Sequence, residues 1–581
     1  MTPPSPVPPP GDAASSRVPA AASPRRRRGA WRALLPWLLA LAALAACGWW
    51  MFHIPHDSRA VYRAIPARAA ATLRVIDLPE RWEGLVANPL VASALRTAGT
   101  EPDDALWLVR DPATRAWFDR LAGREALLAW LPAQEGQPPA LLAASWLGGQ
   151  APLLRQELLL FRLPDFQRMP TAFPGRAVWR VKGLDLPRGW SLTLSFADGL
   201  LLACLSPNPW AIGELLGAHD GTFSRLLDAG IGFDALAARD DRSIPLQLWI
   251  RDDWPTPAAS ASVSAAPPAA SPAAAPPTPL GRTIDIHRLD GERMEATGLS
   301  LDLADWTDST PLPDLAPLGQ LLGDAPCATL VLRRSLPKQA LRQTWLQGDF
   351  RHGIRMTTEI AGDPLVLALL DSDFSGRLSF GIMRTLGLSG LKVPTLLAAT
   401  PVPDPAAARA AAGRIMDSCN ARYRGAFVFR PKTLPDGTVL CTLESAGGNE
   451  WVDELAPTDR PAWAIHGGWL LLASNRAALE KLLVAGPPSP SAAAPWIPPP
   501  SSAPPTAALW LDLQRTGTTF IHLAAMWSMA QRFLGATTDP AVQSALDNLR
   551  AWLEALRPYG QASAIWVPEP PLSRVTLALG H

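Results

Sequence analysis

Apolar positions recur along this chain at two different periods, and the change from one to the other marks its elements. From Ala71 to Ile76 apolar and polar residues alternate, the period of a half-buried strand. From Leu85 to Ala98 the residues Leu85, Leu90, Ala94 and Leu95 recur at helical spacing. Glu125–Leu131, Ala140–Leu147, Ser191–Phe196 and Leu200–Leu205 are apolar runs of strand length, and Asp198-Gly199 is a hairpin signal between the last two. Thr283–Leu289 and Met294–Leu303 predict a second hairpin across Asp290-Gly291. Phe223–Ala229 and Thr516–Leu556 read as helix, and Ser563–Val567 with Arg574–Leu579 closes the chain as strands. Hairpins mixed with helices, without regular strand–helix–strand alternation, predict an α+β fold with mainly antiparallel sheets flanked by helices.

The same pattern recurs within the chain. Ala71-Thr72-Leu73 matches Ala328-Thr329-Leu330, and Gly123-Arg124 matches Gly376-Arg377. Pro139-Ala140-Leu141-Leu142-Ala143-Ala144 matches Pro394-Thr395-Leu396-Leu397-Ala398-Ala399. Gly199-Leu200-Leu201-Leu202-Ala203, with Ser206 and Asn208, matches Gly468-Trp469-Leu470-Leu471-Leu472-Ala473, with Ser474 and Asn475. Four landmarks in one order at nearly one spacing predict a duplicated domain with insertions late in the second copy. Two Ala/Pro/Ser tracts, 255–280 and 486–506, read as linkers or exposed loops. They divide the body into a first α+β repeat over 60–254, a second over 281–485, and a 507–581 segment completing the second. A chain of 581 residues suits that organisation, being too long for one compact core.

Residues 1–29 are too rich in Pro, Ala and Ser to bury a core, and end in Arg25-Arg26-Arg27-Arg28. From Ala30 to Ile54 the chain is apolar apart from Arg32, long enough for one transmembrane helix. Arginines before the span place the tail in the cytoplasm and the body in the periplasm, as a single-pass inner-membrane protein of a Gram-negative envelope. An alternative reading takes Leu44-Ala45-Ala46-Cys47 as a lipoprotein box, with cleavage before Cys47 and lipidation of its thiol. The bulky apolar Gly48 to Phe52 argues for the uncleaved anchor, since a lipidated cysteine normally precedes a polar tether.

Composition removes several functions. Lys plus Arg is 53 against 52 for Asp plus Glu, so no net field recruits nucleic acid. Trp is abundant at 24 but mostly scattered singly, which suits core packing better than base stacking. Cys204, Cys327, Cys419 and Cys441 show no CxxC spacing and read as buried thiols. Asp371 to Gly376 starts like a calcium loop, but its twelfth position is Ile382 where a bidentate Glu is required. Gly230-Ile231-Gly232 lacks the strand that a dinucleotide fingerprint needs before it. Gly387-Leu388-Ser389-Gly390 is one residue short of a nucleophile elbow, and His466 at a tight turn reads as structural. Thr516–Leu534 is apolar, yet His522, Gln531 and Arg532 argue for a core or amphipathic helix over a second span. No catalytic, cofactor or metal residue is therefore assigned.

The N-terminal anchor, the stretch from Pro461-Ala462-Trp463-Ala464-Ile465-His466-Gly467 to Leu472-Ala473-Ser474, and the tail from Leu509 to Tyr559 together resemble the YfaA-like group of uncharacterised, membrane-anchored periplasmic proteins. The resemblance implies an envelope location and work beside bacterial α2-macroglobulin-like proteins, and it brings no catalytic residues. The expectation is a non-enzymatic binding or scaffold module. The alternative is a hydrolase of envelope polymers acting through scattered carboxylates.

Overall fold

The computed structural model describes residues 37–45, 53–57, 59–97, 101–134, 137–161, 163–170, 175–184, 186, 189–229, 243–251, 281–300, 314–333, 362–378, 391–423, 427–445, 455–484, 494–498, 505–533, 540–569 and 572–580. Its first ten strands are β1 (Ala71–Ile76), β2 (Glu125–Leu131), β3 (Ala140–Trp146), β4 (Phe166–Arg168), β5 (Val178–Val181), β6 (Ser191–Ala197), β7 (Leu200–Ser206), β8 (Leu246–Arg251), β9 (Gly281–Leu289) and β10 (Met294–Ser300). The next six are β11 (Pro326–Leu332), β12 (Leu365–Leu370), β13 (Gly376–Leu378), β14 (Leu391–Val393), β15 (Leu396–Pro401) and β16 (Phe427–Thr433). The last six are β17 (Val439–Ser445), β18 (Ala462–His466), β19 (Trp469–Ala473), β20 (Ala507–Asp512), β21 (Gln561–Glu569) and β22 (Leu572–Leu579).

Twenty of these strands form one sheet, antiparallel at every pairing, and β13 and β14 form a separate hairpin. The fold is α+β, as the pattern predicts. Read inward from its two edges, the sheet runs β4-β5-β6-β7-β3-β2-β1-β8-β9-β10 and β16-β17-β18-β19-β15-β12-β11-β20-β21-β22. The two series meet where β10 pairs with β22. There Glu295 faces Ala578, Thr297 faces Thr576 and Leu299 faces Arg574. A shift of 279 residues (295 to 574, 299 to 578) carries each outer pair onto the other, and Thr297 onto its own partner.

Helices occupy matching places in the two series. Ala60–Arg63 precedes β1 and Ile212–Asp220 follows β7, and both pack on Leu127, Leu142, Ala144, Leu200 and Leu202. Ala316–Leu322 precedes β11 and Arg476–Val484 follows β19, and both pack on Val366, Leu397, Ala399 and Leu471. Each half thus buries its own core on the same face of the shared sheet.

Local chemistry explains where the elements stop. Asp198 (φ 44°) and Gly199 (φ 85°) turn β6 into β7, a reversal that needs two positive φ values and therefore favours Asp-Gly. The predicted helix over 85–98 is two helices, Leu78–Ala87 and Pro89–Thr97. Proline disfavours helical backbone in the residue before it, and Asn88 is extended at φ −68°, ψ 131°. The predicted helix at 223–229 is a set of turns. Long-range bonds, Ser224 O to Ala67 N and Leu226 N to Ile65 O, hold it open against its own spacing.

Three landmarks fall on strands in matching sheet positions, but Gly123-Arg124 and Gly376-Arg377 do not. The first pair precedes β2, whereas the second lies after β12, in β13. The strands of 281–300, read from the pattern as the start of the second repeat, continue the sheet of the first half beside β8. Within the 486–506 tract, residues 494–498 are packed: Trp496 is buried in the second core and donates Nε1–H to Gly323 O.

Of the predicted 30–54 anchor, residues 37–45 are described as helix with every residue exposed, Trp37 and Leu44 by more than 70%. No described helix is long and apolar enough to cross a membrane. Cys47, Gly230 to Ala235 and Gly387 to Gly390 lie outside the described residues. The apolar 516–534 stretch belongs to the helix Leu513–Phe533, where Leu513 is buried and Thr516 donates its hydroxyl to Cys327 O.

Candidate functional site

A cavity of about 1240 Å³ opens at the end of the first half's sheet where β1 finishes, β2 begins and β3 finishes. Its wall includes His53, Ile54 and His56, the first described residues after the exposed apolar helix. Ile54 packs against the first core, and a Cβ at Gly199 would lie 3.3 Å from Ile54 and 3.1 Å from Trp146, tighter than ordinary packing. Ile54 is therefore seated on the fold. The rest of the lining includes Asp77, Glu80, Arg115, Asp119, Arg124 and Glu125.

Glu125 opens β2 and is 4% exposed. Its Oε1 accepts from Arg74 Nε at 2.7 Å, and its Oε2 lies 3.2 Å from His56 Nε2. The ring of His56 stands edge-on to Trp146, with centroids 5.3 Å apart. Arg74, 1% exposed, has its guanidinium 6.0 Å from the centre of the Tyr62 ring. Tyr62 donates to Gln247 Oε1 at 2.9 Å, and Gln247 Nε2 donates to Asp285 at 2.8 Å. Glu125, Arg74, Tyr62, Gln247 and Asp285 are all buried, and together they lay a polar line that starts in the cavity wall at Glu125 and runs from β2 across β1 and β8 to β9.

Asp77 is the strained member of the lining. It holds left-handed backbone at φ 51°, ψ 49°, a region non-glycine residues rarely enter and functional sites retain disproportionately. It occupies the N-cap of Leu78–Ala87, where an aspartate ordinarily bonds the first turn, yet its carboxylate makes no capping bond. Its backbone N–H donates to Arg124 O, tying the end of β1 to the start of β2.

The second half has different residues at the matched positions. Register places Val331 where the first half has Arg74, Ala508 where it has Gln247, Ile565 where it has Asp285 and Pro364 where it has Glu125. Shared packing residues persist around these changes. Trp249 stands between Thr72 and Thr283, and Trp510 between Thr329 and Ser563. Among the described residues the second half also buries an arginine on this face, Arg333, paired with Asp363 at 2.9 Å.

Other residues singled out in the sequence have structural work. His466 Nδ1 lies 3.0 Å from Thr438 Oγ1 and 3.6 Å from Asp436, across the hairpin joining β16 and β17. Asp371 accepts two hydrogen bonds from Arg515, whose remaining N–H groups reach the carbonyls of Asp324, Ala325 and Pro326. Cys204, Cys327 and Cys441 are free and buried, and burial pushes the Cys204 thiol up to about 12. Among the described residues no group of three or more His, Cys, Asp or Glu side chains is placed to hold a metal ion. Pattern reasoning missed the cavity because its lining comes from five separate stretches that no local pattern joins. Arg74 gave no signal, since it reads as a polar position of an alternating strand.

No family model and no curated protein matches the chain. Among solved structures, crystal form IV of TP0453 is similar at a TM-score of 0.23 and 11% identity, over 41% of this chain and 79% of that one. Overlap at that level assigns neither a fold family nor an activity.

Proposed function

We propose that this protein is a membrane-tethered, non-enzymatic binding module of the bacterial envelope, built from two copies of one domain, with the cavity of the first copy as its ligand site. The observation that carries this reading is the buried polar line that begins at Glu125 in the cavity wall, with apolar residues at the matched positions of the second half. Burying Arg74 and Glu125 brings a desolvation cost that an apolar pair avoids, and apolar replacements of such pairs are often as stable or more so. The second half folds on the same strand order with Val331, Ala508 and Ile565, so this fold does not require the polar line. Its start at Glu125 in the cavity wall fits retention for a ligand.

The tether draws support from the 30–54 apolar span behind four arginines and from the exposed helix at 37–45. The YfaA-like resemblance agrees with an envelope location, and an α2-macroglobulin-like partner remains a candidate for the outer surface. The hydrolase alternative has acids in the cavity, but Glu125, the most buried of them, is engaged on both oxygens by Arg74 and His56.

The test is site-specific photocrosslinking in cells with the full chain, placing the probe at Glu80 or Arg115 in the cavity and at Lys432 outside it. Adducts confined to the cavity positions are expected. The same adducts from Lys432, or none from the cavity, would overturn the reading. Turnover of an envelope polymer by the purified chain, abolished by Asp77→Asn, would establish the hydrolase instead.

A further inference from the structure

We infer that the cavity takes the head of a zwitterionic phospholipid, a primary ammonium joined to a phosphate, an assignment that rests on the tethered-binding reading above. The lining carries both signs of charge in unused form. The carboxylates of Asp77 and Glu80 have no partner among the described residues, and neither has the guanidinium of Arg124. Arg115 and Asp119 make one loose contact at 3.9 Å. Glu125 is the exception, held by Arg74 and His56.

A primary ammonium brings three N–H donors and needs acceptors around it, which two free carboxylates provide. A phosphate suits a guanidinium, whose planar fork bonds two oxygens together. A quaternary ammonium would call for a cage of aromatic rings. Trp146 is the one aromatic lining residue beside the histidines, and His56 stands against it. Ile54, Ile76, Pro79 and Leu147 add apolar wall for the start of acyl chains.

Position supplies the rest of the argument. His53 and Ile54 are the last residues of the 30–54 apolar span and also part of the cavity wall, so on the tethered reading the cavity opens at the bilayer surface. Packing of Ile54 against the first core fixes the cavity to that end of the span. The backbone of Asp77 explains how its carboxylate stays available: left-handed geometry at the N-cap leaves the cap bond unmade.

Full-length protein in nanodiscs of equal phosphatidylethanolamine and phosphatidylcholine tests this, with native mass spectrometry of the lipids that stay bound. Phosphatidylethanolamine is expected to be retained about tenfold over phosphatidylcholine, since losing a charge-assisted bond costs at least that factor. Asp77→Asn and Arg124→Gln should each return retention to the bulk ratio, while Glu554→Gln leaves it unchanged. Asparagine tolerates left-handed backbone, so Asp77→Asn keeps the fold, and an unchanged melting curve checks it. Bulk-ratio retention by the unmodified protein would overturn the headgroup assignment while leaving the tether standing. Failure of the protein to float with vesicles would instead overturn the tether. Water-soluble glycerophosphoethanolamine separates the two sources of this chemistry. Displacement of bound lipid by it supports headgroup recognition, and its binding with no lipid retained would replace the membrane ligand with a soluble one.

Discussion

The two halves of this sheet share a strand order and differ in what they bury. On β1, β8 and β9 the first half sets Arg74, Gln247 and Asp285 into its core face, where β11, β20 and β21 carry Val331, Ala508 and Ile565. Both surround these positions with the same kind of apolar packing, including Trp249 in one half and Trp510 in the other. The difference teaches that the shared strand order accommodates polar or apolar residues at these three sites, and the polar set stands in the half whose cavity His53, Ile54 and His56 help to line.

The largest expected effect tests the shared part of the comparison. Trp249→Ala and Trp510→Ala should each cost about 3–5 kcal/mol, because each empties a large buried volume. Chemical denaturation of the two variants should give costs within about 1 kcal/mol of each other. A loss in one half alone would break the equivalence of their positions.

The next prediction concerns the part that differs. Glu125→Ala leaves Arg74 buried without its carboxylate and should cost about 3 kcal/mol, whereas Arg74→Val combined with Glu125→Leu should be neutral within about 1 kcal/mol. If the double variant unfolds as readily as the single one, the polar line is structural and the functional reading of it fails.

Smaller is the link between halves. Asn88 donates to Asp290 O and to the Tyr559 hydroxyl, and Tyr559 itself donates to Asp290 O. Asn88→Ala also removes the cap of Pro89–Thr97 and should cost about 2 kcal/mol. Tyr559→Phe should cost about 1 kcal/mol, and a double-mutant cycle should show the two coupled.

Two effects at the small end leave global stability nearly unchanged. With its thiol at about 12, Cys204 is thiolate in about one molecule in ten thousand at pH 8, so alkylation should await unfolding. Rapid native labelling would show that the first core opens. In the second half, the Lys432 ammonium donates to Glu480 and holds its carboxyl below the usual range. A depressed folded value means stability present above the unfolded pKa of about 4.3 and lost as pH falls through the native value. Both side chains are partly exposed, so Lys432→Met should remove about 0.5 kcal/mol or less near neutral pH. It should also soften the acid limb of the stability curve. An unchanged acid limb would show the pair is idle.

Much of the fold was legible residue by residue. β2, β3, β6, β7, β9 and β10 lie where apolar runs and Asp-Gly turns place them, since strand period and turn chemistry are local properties. The break at Asn88 was also written locally, in Pro89, and was missed in favour of helical spacing. The turns at 223–229 were not legible, because distant backbone partners hold them. Nothing of the site showed in advance: Arg74 reads as the polar side of an alternating strand, and only the assembled sheet turns that side inward.

The order of residues by itself determined the antiparallel α+β character, the repeated landmarks and the apolar N-terminal span, because each depends on neighbours a few positions apart. Only the tertiary structure decided which strands meet: that β10 closes on β22, that 281–300 continue the first half, and that His56 reaches Glu125 across 69 residues. Pairing between distant strands depends on the loop closure and burial of the whole chain, which no local period encodes.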